Sequence, residues 1–82
     1  MTKLTLALID SNNDIIIKDS HILQSTESKE MIEAIVFLCS KMDIDVPIWT
    51  LAEEKSLSRY NEVLIKDAEY GNKTLKISLE PA

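Results

Sequence analysis

Asp10, Asn12 and Asp14 alternate as oxygen ligands do in the first half of a calcium-binding loop, where side chains two residues apart encircle the ion. The second half does not follow. Ile15 stands where glycine would make the sharp turn, His21 where a bidentate glutamate would close the site, and Lys18 adds positive charge nearby. The segment Asp10–Asp14 is accordingly read as a polar turn, and neither a metal nor any other cofactor is expected.

The only histidine, His21, follows Asp19 and Ser20, which resembles a hydrolytic triad in print. Adjacent residues of a strand point to opposite faces, however, so the three cannot relay a proton. A His21–Asp19 pair on one face is geometrically allowed, but no nucleophile accompanies it. The single cysteine, Cys39, lies within a helical pattern rather than at the positive helix N-terminus that lowers a thiol pKa. With no histidine near Cys39 in sequence and no Cys-x-x-Cys, neither a cysteine hydrolase nor a zinc site is expected. Glu53 has a capping task and Glu54 reads as a solvated helix residue. One glycine leaves no phosphate-cradling loop. No catalytic residue is assigned.

Two aromatics remain. Phe37 projects into the polar face of the main helical pattern, and Trp49 stands just before the next helix. Large aromatics so placed are the residue types that anchor protein interfaces, although a large aromatic is equally apt to be buried within its own chain. Phe37 and Trp49 are the candidate partner-binding residues. The connection between them, Cys39–Ile48, is short enough to bring them into one neighbourhood.

The elements that position these side chains follow from periodicity. Leu4, Leu6 and Leu8 alternate with Thr5, Ala7 and Ile9, the period of a strand. After the Asp10–Asp14 turn, Ile15-Ile16-Ile17 resumes β-branched residues, making a hairpin of the first ~20 residues. That second strand is interrupted near Asp19-Ser20, and His21-Ile22-Leu23 either extends it or leaves the sheet. A helix over about Glu27–Met42 follows, with Ser25 or Thr26 as its cap. Met31, Ile35, Leu38 and Met42 form its apolar stripe. Ile32, Ala34, Val36 and Cys39 widen that stripe to about half the circumference, which predicts cover from more than one direction.

Val46-Pro47 is extended, and Thr50-Leu51-Ala52-Glu53 is a capping box opening a short helix that ends near Arg59. A final hairpin pairs Glu62–Lys66 with Thr74–Glu80 across a loop at Ala68–Lys73. Leu75, Ile77 and Leu79 alternate there with polar residues, which predicts a sheet with one covered and one wet face. The order ββ-α-α-ββ makes an α+β two-layer sandwich, a four-stranded antiparallel sheet with helices on one face. Residues 1–82 are expected to form one domain.

Composition bounds the rest. Eleven isoleucines against four aromatics imply a thin aliphatic core, which leans toward help from a second chain. Fourteen acids and nine bases give a net charge of −5 without a basic patch, which disfavours nucleic acid. The longest apolar run, Ala34–Cys39, is too short to cross a bilayer, so no membrane partner is expected. No secretory pattern precedes the first strand and only one cysteine is present, so the expected location is a reducing cytoplasm. Eight lysines against one arginine resemble the coding bias of an AT-rich bacterial or phage genome.

The leading expectation is a small non-catalytic protein–protein interaction module, acting on a protein partner or by self-association as a homodimer. Two alternatives stand beside it. One is an inhibitor or mimic of phage or plasmid type that blocks a host enzyme. The other is an enzyme with a dimer-interface site near His21.

Overall fold

Alternation at the N-terminus produces β1 (Thr2–Ile9), which pairs antiparallel with β2 (Ile15–Leu23). The computed structural model describes residues 1–82. The turn between these strands is held by Asp10, whose Oδ1 accepts the N–H groups of Asn12 and Asp14 at 2.9 and 3.0 Å. Asn13 takes a φ of 65°, a left-handed conformation that asparagine tolerates better than most residues. β2 is continuous through Asp19-Ser20, so His21-Ile22-Leu23 extends the strand. The register slips by one residue opposite Leu8 and Ile9, which leaves Ile16 as a bulge and Ile17–Leu23 as the regular stretch.

The main helix, α1, covers Ser28–Met42. Neither Ser25 nor Thr26 caps it. The residue before the helix is Glu27, which makes no side-chain cap, and the preceding chain is tied down by Glu30 instead. Its carboxylate reaches back to accept from the Gln24 and Ser25 N–H groups and from the Ser25 hydroxyl. A carboxylate in the first turn suits the positive helix end and serves as anchor at once. Asp43, at φ 55°, ends the helix, and the Ile44 N–H returns to the Cys39 carbonyl.

The linker then runs over the core, with Pro47 buried and Ile44 and Trp49 half-buried against it. Tyr70 pins the linker by donating its hydroxyl to the Asp45 carbonyl at 2.8 Å.

Thr50 caps α2 (Leu51–Tyr60) by accepting the Ala52 N–H, and its hydroxyl donates to Glu53. This differs from the reciprocal backbone capping expected of the Thr50/Glu53 pair, although the same two residues make the contact. Leu57 is the one fully buried residue of α2, whereas Leu51 is exposed. β3 (Glu62–Ile65) and β4 (Thr74–Pro81) complete the sheet, joined by a connection with a short 3-10 turn at Ala68–Tyr70.

Strand order is β2-β1-β4-β3, all antiparallel, so the first and last strands pair at the centre. α1 lies over β2 and β1, and α2 over β3 and β4, on one face of the sheet. Leu4, Leu6, Leu8, Leu75 and Ile77 from the sheet meet Met31, Ile35, Leu38, Cys39 and Leu57 from the helices in one aliphatic core. Cover of α1 comes from one direction only. Ile32 and Val36 stay exposed, contrary to the expectation drawn from their place on the helical wheel.

Candidate interaction surface

The two sheet faces differ in chemistry. On the helix face the alternating leucines are sealed. On the other, Thr5 and Ala7 sit at the centre among Ser20, Ser78, Lys18 and Lys76, and hydrogen bonds bind the strands side to side. The Ser20 hydroxyl donates to Thr5 at 2.9 Å, and Thr5 donates to Glu80 at 3.4 Å. Glu80 also pairs with Lys3, and Lys76 with Glu62. The ion pairs and lysine stems cover small residues, so this face satisfies itself in water. Between its rims lies an open depression of about 620 Å³ bordered by Thr5, Ala7, Lys18, Tyr60 and Glu62.

The edge of β2 is the contrasting surface. Ile15, Ile16, Ile17 and Ile22 are 37–58% exposed along it, and no strand pairs with its outer side. β-Branched residues suit a half-buried pleated surface, and a long exposed edge of them is a template for another strand. The adjoining flank of α1 continues the surface. Phe37, 49% exposed, meets the His21 ring edge-on at 5.4 Å between centroids. Lys41 lies 5.6 Å from the Phe37 ring and bonds Asp19 at 2.9 Å. That ammonium, helped by the Ser20 N–H, holds the Asp19 carboxyl below its ordinary pKa. Glu30 is held low likewise, chiefly by the Gln24 N–H and then by the Ser25 hydroxyl.

The structure therefore brings Phe37 together with His21, Asp19 and Lys41. The ring Phe37 meets is that of His21, not that of Trp49, which packs against the core. No acceptor lies within hydrogen-bonding distance of the buried Trp49 Nε1. Cys39 is fully buried, and burial pushes its thiol up to about 11. Glu53 is engaged by Thr50, and Asp10 by its own turn. A separate groove of about 470 Å³ runs between the start of α1 and α2, lined by Thr26, Met31, Leu51, Glu54, Lys55 and Arg59.

The isoleucines of β2 were not singled out from the sequence as a surface. Their β-propensity was legible, but whether a strand lies at the edge or the centre of a sheet is not a local property. One signal existed: Lys18 in mid-strand is the kind of charge that edge strands carry. No helix is long and apolar enough to cross a membrane. Comparison with known protein families, curated proteins and solved structures finds no match.

Proposed function

We propose that this chain is a non-catalytic protein-interaction module that binds through the outer edge of β2 and the Phe37 flank of α1. The observation that carries this is the nine-residue strand whose outer edge is unpaired, with four exposed isoleucines and a half-exposed phenylalanine beside it. Leaving that surface in water costs on the order of 25 cal/mol per Å² of apolar area, which a partner would relieve. The groups with chemical potential are tied to structure instead: Asp10 to a turn, Asp19 to Lys41, Glu30 to the helix entry and Cys39 to the core. Trp49, with its ring packed on the core, is left outside the proposed surface.

The test compares wild type with Phe37→Glu and Ile16→Lys, using Leu64→Lys on the opposite sheet edge as control. All three positions are exposed, so circular dichroism should report intact folds. Association with self or partner, followed by sedimentation and affinity capture, should be lost in the first two variants and kept in the control. Association that survives both edge variants would place binding elsewhere and remove this proposal.

A further inference from the structure

We infer that the occupant of the β2 edge is a second copy of this chain, paired antiparallel over Ile17–Leu23 about a two-fold axis at Ser20. This rests on the reading of β2 as the interaction surface, and adds the partner and the register.

The hydrogen bonding of β2 indicates which residues are free to pair. The Ser20 N–H donates to Asp19 Oδ1 at 2.8 Å, so it points away from β1, and pairing with a copy exchanges this local bond for one to the copy's Ser20 carbonyl. The close Ser20–Thr5 hydroxyl contact agrees, because opposed residues that do not exchange backbone hydrogen bonds bring their side chains nearer. Both backbone groups of a residue point the same way, and the direction alternates along the strand. Lys18, Ser20 and Ile22 therefore present their backbone outward, while Ile17, Asp19, His21 and Leu23 face β1. The Ile16 bulge limits regular pairing to Ile17–Leu23, and Ser20 is the midpoint of that stretch.

Charge then selects among the two-fold registers. An axis at Lys18 opposes lysine to lysine, and an axis at Asp19 opposes carboxylate to carboxylate and runs into the bulge. An axis at His21 opposes imidazole to imidazole and shortens the ladder. Centred on Ser20, Asp19 faces the copy's His21, Lys18 faces Ile22, and Ile17 faces Leu23. Like charges directly opposed destabilise a ladder, and the Ser20 register has none.

The helix layer repeats the pattern. α1 lies over β1 and β2, so a continuous sheet would place α1 and its copy two strand spacings apart, about 9–10 Å. Packed helices lie at that distance. Glu33, Phe37 and Lys41 follow at four-residue steps on the flank facing the edge, and Phe37 stands over His21, one residue from the axis. The antiparallel arrangement sets Phe37 against its copy and Glu33 against Lys41. The strand and the helix stripe are thus self-complementary about the same axis, and the assembly is an eight-stranded sheet with four helices on one face.

Sedimentation velocity of the full chain, up to hundreds of micromolar, should show a monomer–dimer equilibrium. Ile22→Lys opposes Lys18 and should weaken dimerisation at least tenfold. Adding Lys18→Glu should restore it, because that pair is opposed only in the Ser20 register. Ser20→Cys should cross-link on oxidation, since directly opposed residues that exchange backbone hydrogen bonds lie about 5.5 Å apart, within disulfide reach. Lys18→Cys and Ile22→Cys each lie about 13 Å from their own copies and should not. The native Cys39 is buried and will not compete. A chain that stays monomeric overturns the second copy, yet leaves the surface proposal standing if partner capture still depends on Phe37 and Ile16. A dimer indifferent to Ile22→Lys and not cross-linked through Ser20 overturns this interface.

Discussion

Ile35 and Leu38 carry the packing of α1 onto the sheet, and both are almost wholly buried in the aliphatic core. Emptying either site removes transfer energy and leaves a cavity that rigid neighbours fill poorly. Ile35→Ala or Leu38→Ala should therefore cost about 2–5 kcal/mol in urea unfolding. A loss below about half a kcal/mol at both would mean that the helix packs by another face. These two residues were legible from the sequence because a helical stripe needs only the chain's own period. Phe37 was legible as an anomaly on a polar face, but its partner was not. His21 reaches it from sixteen positions away by way of a strand whose continuation past Ser20 the sequence left open. Trp49 was grouped with Phe37 by proximity along the chain, whereas the core claims its ring.

At the scale of elements, both ends of α1 are held by charge. The Glu30 carboxylate gathers three donors from Gln24 and Ser25, and Asp19 takes the Lys41 ammonium from the last turn of the same helix. Both carboxyls are held below their ordinary values in the fold. A depressed folded pKa contributes stability that is complete above the unfolded value, about 4 for these groups, and is lost as pH falls through the folded value. Lowering pH from about 6 to about 3 should thus shift the urea midpoint of wild type down, and shift the Asp19→Asn/Glu30→Gln variant less. Equal shifts would assign the acid sensitivity to other groups. Both carboxylates are at the surface, so high salt should mute the Asp19–Lys41 share. The sequence placed Ser25 and Thr26 at the cap because short hydroxyl side chains commonly serve there. Glu30 instead ties down the chain before the helix and leaves the helix without a side-chain cap, an arrangement that periodicity does not reveal.

At the scale of the molecule, the element order was legible and the strand order was not. Alternation in Leu4–Leu8 and Leu75–Leu79 marks two strands with one buried face each, yet nothing local says that they are neighbours. They pair at the centre of the sheet, Thr2 opposite Pro81 through Ile9 opposite Thr74, and the Ala82 N–H donates to the Met1 carbonyl. The central ladder is thus also the longest-range contact of the chain, and closing it carries the largest loop entropy.

Joining Ala82 to Met1 through a short glycine-rich turn and opening the chain between Asp45 and Val46, both exposed, changes the order to α2-β3-β4-β1-β2-α1. The sheet β2-β1-β4-β3 then becomes a sequential meander in which every pairing is a hairpin. Folding rate rises as contacts become local, so the permutant should keep the wild-type circular dichroism and fold about an order of magnitude faster in stopped-flow chevrons. The opened linker should raise the unfolding rate, because Pro47 and the Tyr70–Asp45 bond anchor it to the core in the intact chain. A permutant that folds no faster would mean that the rate-limiting step lies outside the β1–β4 ladder, in docking α1 onto the sheet.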